Sequence, residues 1–461
     1  MLEVKRIPYS KLQKWSWASG NFAVWLTITT FTVWIFSFYF IAVGLPIFYI
    51  MIAFMIWAIW NAVNDPLIGY MSDRIRTRWG RRYPFIIFGT VPLLIIEILL
   101  WIPPLTNHFI IFIYLLIMLF CFDMFYTMLE VPFDSLFPEL FISIEERNEV
   151  NTLRQIFSLI GILFAFILPG ILIEDLTNKE GYFINGIATA IIVLISLIIM
   201  LKWAPKEKEE FKLDHKHAMN FFQEIKYTFK NRSFVLFTIM FVLHEYILQL
   251  LATITPLYVV YVLGMKDTFL ISVFFVIYFI SATISMAIWM KMDIKIGSKN
   301  TFAIAIIFFF LMTLPFLFIT SYIIALIFSA LMGVGFGGML YTVWLLIADV
   351  IDDDELKTGV RREGIFMGIT DFFIRFSIIL SIVSISLVYT TVGWETYTPN
   401  PGADVILGNR ILFVFFPGIA LGITLICLYF YPLSKKRVEE NKIQMAKLHK
   451  QKIERVRTEL K

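Results

Sequence analysis

Two apolar stretches of the chain carry oxygen-bearing side chains at helical spacing. Asn61 and Asp65 stand four residues apart, which places them on one face of a helix, and Pro66 follows directly. A proline there removes a backbone hydrogen bond and frees a carbonyl able to coordinate a cation. Further along, Asp123, Thr127, Glu130 and Asp134 recur at spacings of four, three and four, forming one polar stripe. Hard oxygen ligands from two facing helices suit a small cation or a proton. Arg154 and Arg375 also fall inside apolar stretches. Arg154 and Glu130 can neutralise one another, and Arg375 can pair with Asp371, four residues earlier on its own helix.

The elements that position these groups are membrane spans. Of 461 residues, 59% are hydrophobic and 16% charged, and 48 are Phe. Soluble domains run to about 45–50% apolar and about 25% charged. A disordered chain, a fibre and a disulfide scaffold are excluded. Cys121 and Cys427 both lie in apolar runs and read as small buried hydrophobes. Residues 1–17 are polar and basic, and the next apolar run is long enough to span, so no cleavable signal peptide is expected. A spanning helix needs about 20 mostly apolar residues. Twelve runs qualify, near 18–42, 46–71, 84–103, 109–131, 150–173, 182–201, 233–262, 267–290, 301–320, 322–349, 364–390 and 410–432.

Charge sets the expected orientation, because cationic loops resist translocation. With the N-terminus inside, inner segments hold 34 of the 39 Lys and Arg, and both termini are expected in the cytoplasm. The basic stretch 202–232 divides the spans six and six. The expected organisation is an N-terminal half (1–201), a linker (202–232), a C-terminal half (233–432) and a basic tail (433–461). Equal halves joined by a cytoplasmic linker fit a parallel-repeat transporter. A faint internal echo agrees: Asp73, Gly80 and their arginines follow span two, and Asp293, Gly297 and Lys299 follow span eight.

Three motifs carry a family resemblance. Trp60 through Arg82, including Asn64, Asp65, Pro66, Gly69, Asp73 and Gly80, resembles the span-two signature of the glycoside–pentoside–hexuronide:cation symporters, within the major facilitator superfamily. Ala348 to Gly364 is similar to that family's segment between spans ten and eleven. Glu130-Val-Pro132-Phe-Asp134, followed by Glu146, Arg147 and Arg154, is a third match. The resemblance implies an all-α membrane protein of twelve helices in the major facilitator fold, with two six-helix halves around a cavity. It implies a cation-coupled carrier of a sugar or glycoside working by alternating access.

By that resemblance the cation site comprises Asn61, Asp65, Thr127 and Glu130. Sugar carriers of the family usually have Asp at the position of Asn61, so its neutrality weakens sodium and tilts the coupling ion slightly from Na+ to H+. Candidate substrate residues are Asn21, Trp25, Tyr126, Glu130, Asp134, Arg154, Trp344 and Arg375, combining aromatic faces with groups that bond hydroxyls. Asn21 stands where galactoside carriers have Asp, and Asp134 near where they have an aromatic, which argues against an ordinary galactoside. Vertebrate members of the family move lysolipids, so an amphiphile is the alternative substrate, and a sensor that binds without carrying is another reading.

Asp73, Arg74, Arg147, Asp349 and Asp352 lie at inner helix ends, where ion pairs of modest strength can close and open a mouth. Glu145, Glu146 and Glu149 surround Arg147 and can join the same latch. The tail carries ten basic and four acidic side chains, with Ile443, Met445, Leu448 and Ile453 interspersed. It reads as an amphipathic helix attracted to anionic headgroups. Glu97 reads as a local hydrogen-bonding partner, and His244-Glu245 as an unusual pair with no motif. The five His residues are scattered, and no nucleophile pair, metal-ligand spacing or phosphate loop is present. An enzyme, a metal, an organic cofactor and nucleic-acid binding are not expected; a monomer in the plasma membrane is.

Overall fold

Apolar runs of this length satisfy their backbone in hydrocarbon by forming helices. A computed structural model, describing residues 9–74, 77, 80–104, 106–141, 144–205, 231–359 and 363–459, consists almost wholly of them. They are α1 (Lys11–Ser37), α2 (Ile47–Arg74), α3 (Tyr83–Leu99), α4 (His108–Leu140), α5 (Ile144–Leu172), α6 (Lys179–Trp203), α7 (Arg232–Leu257), α8 (Thr268–Ile296), α9 (Ser298–Thr313), α10 (Tyr322–Thr358), α11 (Glu363–Thr391), α12 (Ala403–Phe430) and α13 (Lys435–Glu459). Among the described residues eleven helices are long and apolar enough to cross a membrane, and α3 is a shorter apolar one. Each of the twelve apolar runs is therefore a helix. Helices α4 and α10 continue past their apolar runs, because backbone hydrogen bonding persists after hydropathy falls.

The chain divides into two compact units. The first comprises Met1–His217, Gly264–Val273 and Tyr389–Gly402; the second comprises Ala218–Leu263, Phe274–Val388 and Ala403–Lys461. In the first, α1 lies against α5 and α6, α2 against α4, and α3 against α4 and α6. Close approach is bought by glycine: a Cβ on Gly161 would stand 2.7 Å from the Phe22 carbonyl oxygen, so only hydrogen lets α5 meet α1 here. In the second unit α9 lies against α10, α7 against α12, and α13 against α10.

The leading helix of each run of six ends in the same way. Helix α1 widens into a π-turn at Phe38–Ala42, and α7 does so at Tyr258–Val262. Gly44 (φ +78) and Gly264 (φ +72) follow, in a conformation that costs glycine little. This shared ending was not legible in the sequence, where the two segments have no obvious identity.

Candidate functional site

Helix α2 presents Trp57, Asn61 and Asn64 along one face, at spacings of four and three, towards Asp123 and Thr127 of α4. Trp57 Nε1 donates to Asp123 Oδ1 at 3.2 Å, and Asn61 Nδ2 donates to the same oxygen. Asn64 Nδ2 donates to Asp123 Oδ2 at 3.0 Å and to Thr127 Oγ1 at 2.9 Å. Thr127 Oγ1 in turn donates to Asp65 Oδ1 at 2.8 Å. Asn64, Asp123 and Thr127 are at most 2% exposed. Three N–H donors therefore converge on one carboxylate acceptor in a buried seam.

The two asparagines spend their amide hydrogens on α4, while Asn61 Oδ1 and Asn64 Oδ1 are buried with no hydrogen-bond partner among the described residues. Two amide oxygens, the carboxylates of Asp65 and Asp123, and the Thr127 hydroxyl form an oxygen-rich donor set of the kind that holds a small hard cation. Asn61, Asp65 and Thr127 are brought together as expected by sequence; Asn64, named there only within the motif, and Asp123, named only within the polar stripe, were not assigned to this site. The signal for Asn64 was its spacing of three from Asn61.

Lower on α4 a second group forms. The Tyr126 hydroxyl lies beside Glu130 and Asp134. Arg154 of α5 pairs with Asp134, and its Nε donates to Asn21 Oδ1 of α1 at 2.9 Å. Asn21 Nδ2 donates to Ser158 Oγ at 3.0 Å. The Arg154 guanidinium lies over the rings of Trp17, Phe133 and Phe137, 4.7 Å from the Phe137 centroid. Asn21, Asp134 and Arg154 thus meet, and the counter-ion of Arg154 is Asp134, rather than the Glu130 considered from sequence. Trp25 stands one turn along α1 from Asn21 and is exposed. Trp344 and Arg375 belong to the second unit. There Trp344 is 49% exposed with its ring edge-on to Phe241, and Arg375 lies beside Glu245.

The gate residues have a mixed outcome. The side chains of Asp73, Arg74 and Glu145 lie outside the described residues. Arg147 Nε donates to the Phe141 carbonyl at the end of α4, at 3.1 Å. Glu146 and Glu149 pair with Lys14, at 3.5 and 2.7 Å, which α1 brings to them. In the second unit Asp349 lies near Lys442. Asp352 is half-buried, while its neighbour Asp353 pairs with Lys357 and accepts from Asn441 Nδ2 at 3.2 Å. Helix α13 is thus docked on α10, with Met445 buried and Ile443 exposed.

These helices and this buried polar seam define a multi-pass membrane transporter of the major facilitator superfamily, not an enzyme. The MFS/sugar transport protein family matches residues 16–435, and the chain belongs to it. The symporter YnaJ of Bacillus subtilis (strain 168), itself uncharacterised, is 26% identical over 94% of each chain. Sodium-dependent lysophosphatidylcholine symporter 1 of Xenopus tropicalis is 24% identical, over 86% of this chain and 82% of that protein. A glucuronide carrier protein homologue of Escherichia coli (strain K12) is 24% identical, over 83% and 84%. Among solved structures, the nucleoside transporter NupG superposes with a TM-score of 0.69 at 15% identity, over 92% of this chain and all of that one. A bacterial homologue of the lysosomal transporter Spinster, inward-facing and occupied, gives 0.60 at 12% identity, over 90% and 96%. The likeness to these two structures concerns the fold.

Proposed function

We propose that the chain is a cation-coupled symporter that carries a sugar or glycoside by alternating access. The observation that carries this reading is the α2–α4 seam, where the unpartnered oxygens of Asn61 and Asn64 stand with Asp65, Asp123 and Thr127. Of the two coupling ions, H+ and Na+, the donor set favours sodium. Asn61 is neutral, but Asp123 brings a second carboxylate to the same seam. Glu130 extends the site towards the group of Asn21, Tyr126, Asp134 and Arg154, which offers both donors and acceptors to substrate hydroxyls. Trp25 supplies an aromatic face, and within the second unit Trp344 and Arg375 are assigned to substrate. Asp73, Arg74, Arg147, Asp349 and Asp352 are assigned to the inner gate. The protein works as a monomer in the plasma membrane, with both termini cytoplasmic and no organic cofactor.

A lysophospholipid is the second reading, supported by relatives named as lysophosphatidylcholine symporters over most of their length. Thermal unfolding of the purified protein, against a glycoside panel and lysophosphatidylcholine, with sodium or choline as cation and at acid and neutral pH, separates these readings. A ligand at 100 times its Kd adds about 2.7 kcal/mol, a readable shift. Glycoside stabilisation strengthened by sodium is the expected result. Strengthening by acid alone makes the ion a proton, and stabilisation by lysophosphatidylcholine alone overturns the sugar assignment. Binding without coupled flux in liposomes makes the protein a sensor.

A further inference from the structure

Away from the α2–α4 seam, a second set of polar groups is buried where α1, α3 and α6 meet. Thr30 of α1, Glu97 of α3, Trp101 just beyond α3, and Tyr182, Asn185 and Thr189 of α6 are all at most 2% exposed. Among the described residues eight of their polar atoms have no hydrogen-bond partner: Thr30 Oγ1, both Glu97 carboxyl oxygens, Trp101 Nε1, the Tyr182 hydroxyl, both ends of the Asn185 amide, and Thr189 Oγ1. The sequence reading of Glu97 as a bonded local partner is therefore corrected.

Contacts between these helices place the residues near one level. Ser16 Oγ donates to the Ile199 carbonyl at 2.7 Å and Ser196 Oγ to the Ser19 carbonyl at 2.8 Å. Helices α1 and α6 are thus antiparallel, and that register carried along the pair brings Thr30 level with Asn185. The rings of Phe38 and Tyr182 meet at 4.9 Å, two turns further on. On the other side the Trp101 ring stacks on Tyr182 at 5.6 Å. Gly186 permits the approach of α3: a Cβ there would clash with the Trp101 ring and stand 3.2 Å from the Glu97 carbonyl oxygen. Asn185 and Thr189 share the α6 face that carries Tyr182.

Buried polar groups in folded proteins are almost always partnered, and each orphan in an apolar interior costs several kcal/mol. Eight at one junction call for a guest. We propose that α1, α3 and α6 enclose a binding site for a small cluster of ordered water molecules. The donor set selects water over a metal cation. A cation serves the oxygens but leaves the N–H groups of Trp101 and Asn185 facing it, whereas water both donates and accepts. A buried water makes about three hydrogen bonds, so on the order of two or three molecules satisfy the set. The junction is then bridged by water, and a small slide of α1 along α6 exchanges one bridge for another instead of unlocking interdigitated side chains.

X-ray radiolytic labelling of the full chain in nanodiscs tests this, because water bound in place is turned into hydroxyl radicals that oxidise its neighbours. Trp101 and Tyr182 are read by mass spectrometry against Trp34 and Tyr258. These controls are equally buried, but donate to the carbonyls of Ala165 at 3.1 Å and Phe316 at 2.5 Å. Oxidation of Trp101 and Tyr182 several-fold above the controls is expected, falling to their level in the Glu97→Leu/Asn185→Leu variant. Should that variant not fold, wild-type protein equilibrated in oxygen-18 water and diluted briefly into ordinary water decides: retained heavy oxygen at Trp101 and Tyr182 supports the site. Labelling no greater than the controls overturns it, and so does labelling abolished by sodium but not by choline, which would make the guest a cation.

Discussion

The α2–α4 seam and the α8–α10 seam join the second and fourth helices of their respective runs of six, yet they are closed by different chemistry. In α8–α10 the contact is made by small residues. Gly333 and Gly337 of α10 lie against the Tyr278 and Ala282 carbonyls of α8. Ser285 Oγ and Trp289 Nε1 donate to the Val334 carbonyl at 3.2 and 2.8 Å. This is close backbone packing of the kind that holds membrane helices together. In α2–α4 the space is filled by amide and carboxylate side chains, with two amide oxygens left over. The difference separates a joint that needs only to be tight from one with acceptors to offer.

Substitutions can break or sharpen that contrast. The largest effect is expected for Asp65→Asn and Glu130→Gln, each abolishing coupled uptake in liposomes while the thermal midpoint stays near that of the wild type. Unchanged uptake in both would remove the proposed coupling site. Gly337→Leu comes next, because any side chain there meets the Ala282 carbonyl. A loss of about 1–3 kcal/mol, or more, is expected in denaturant unfolding, with uptake falling only as the folded fraction falls.

Asp123→Leu removes the acceptor shared by Trp57, Asn61 and Asn64. Its expected cost is about 1–3 kcal/mol, and pairing it with Asn61→Leu should cost less than the two single losses added together. Additive losses in that cycle would show that Asp123 and Asn61 do not act as a unit. The smallest effect is expected for Ser285→Ala, about 0.6 kcal/mol with uptake unchanged. A fall in uptake there would make the α8–α10 seam more than packing.

How much of the site could be read beforehand differed by residue. Asn61, Asp65 and Thr127 were legible because a carboxylate or amide in an apolar run is costly and has to face something. Asn64 was read only as part of the motif and given no role, because an asparagine beside stronger candidates carries no signal of its own. Lys14 looked like one more inner cation, yet it neutralises Glu146 and Glu149, more than 130 residues away. Glu97 was plausible as a bonded side chain, and only its surroundings reveal that neither oxygen has a partner.

Composition and periodicity by themselves determined that the chain is a membrane protein of twelve apolar helices and that the second and fourth carry polar groups along one face. Hydropathy and the helical repeat act within one segment, so they survive without knowledge of the neighbours. Tertiary structure alone decided which faces meet. The capture of Asp123 by three α2 donors, the choice of Asp134 for Arg154 and the burial of Glu97, Asn185 and Thr30 all depend on helix pairing and register. Those are set by close packing, glycine by glycine, between segments far apart in the chain.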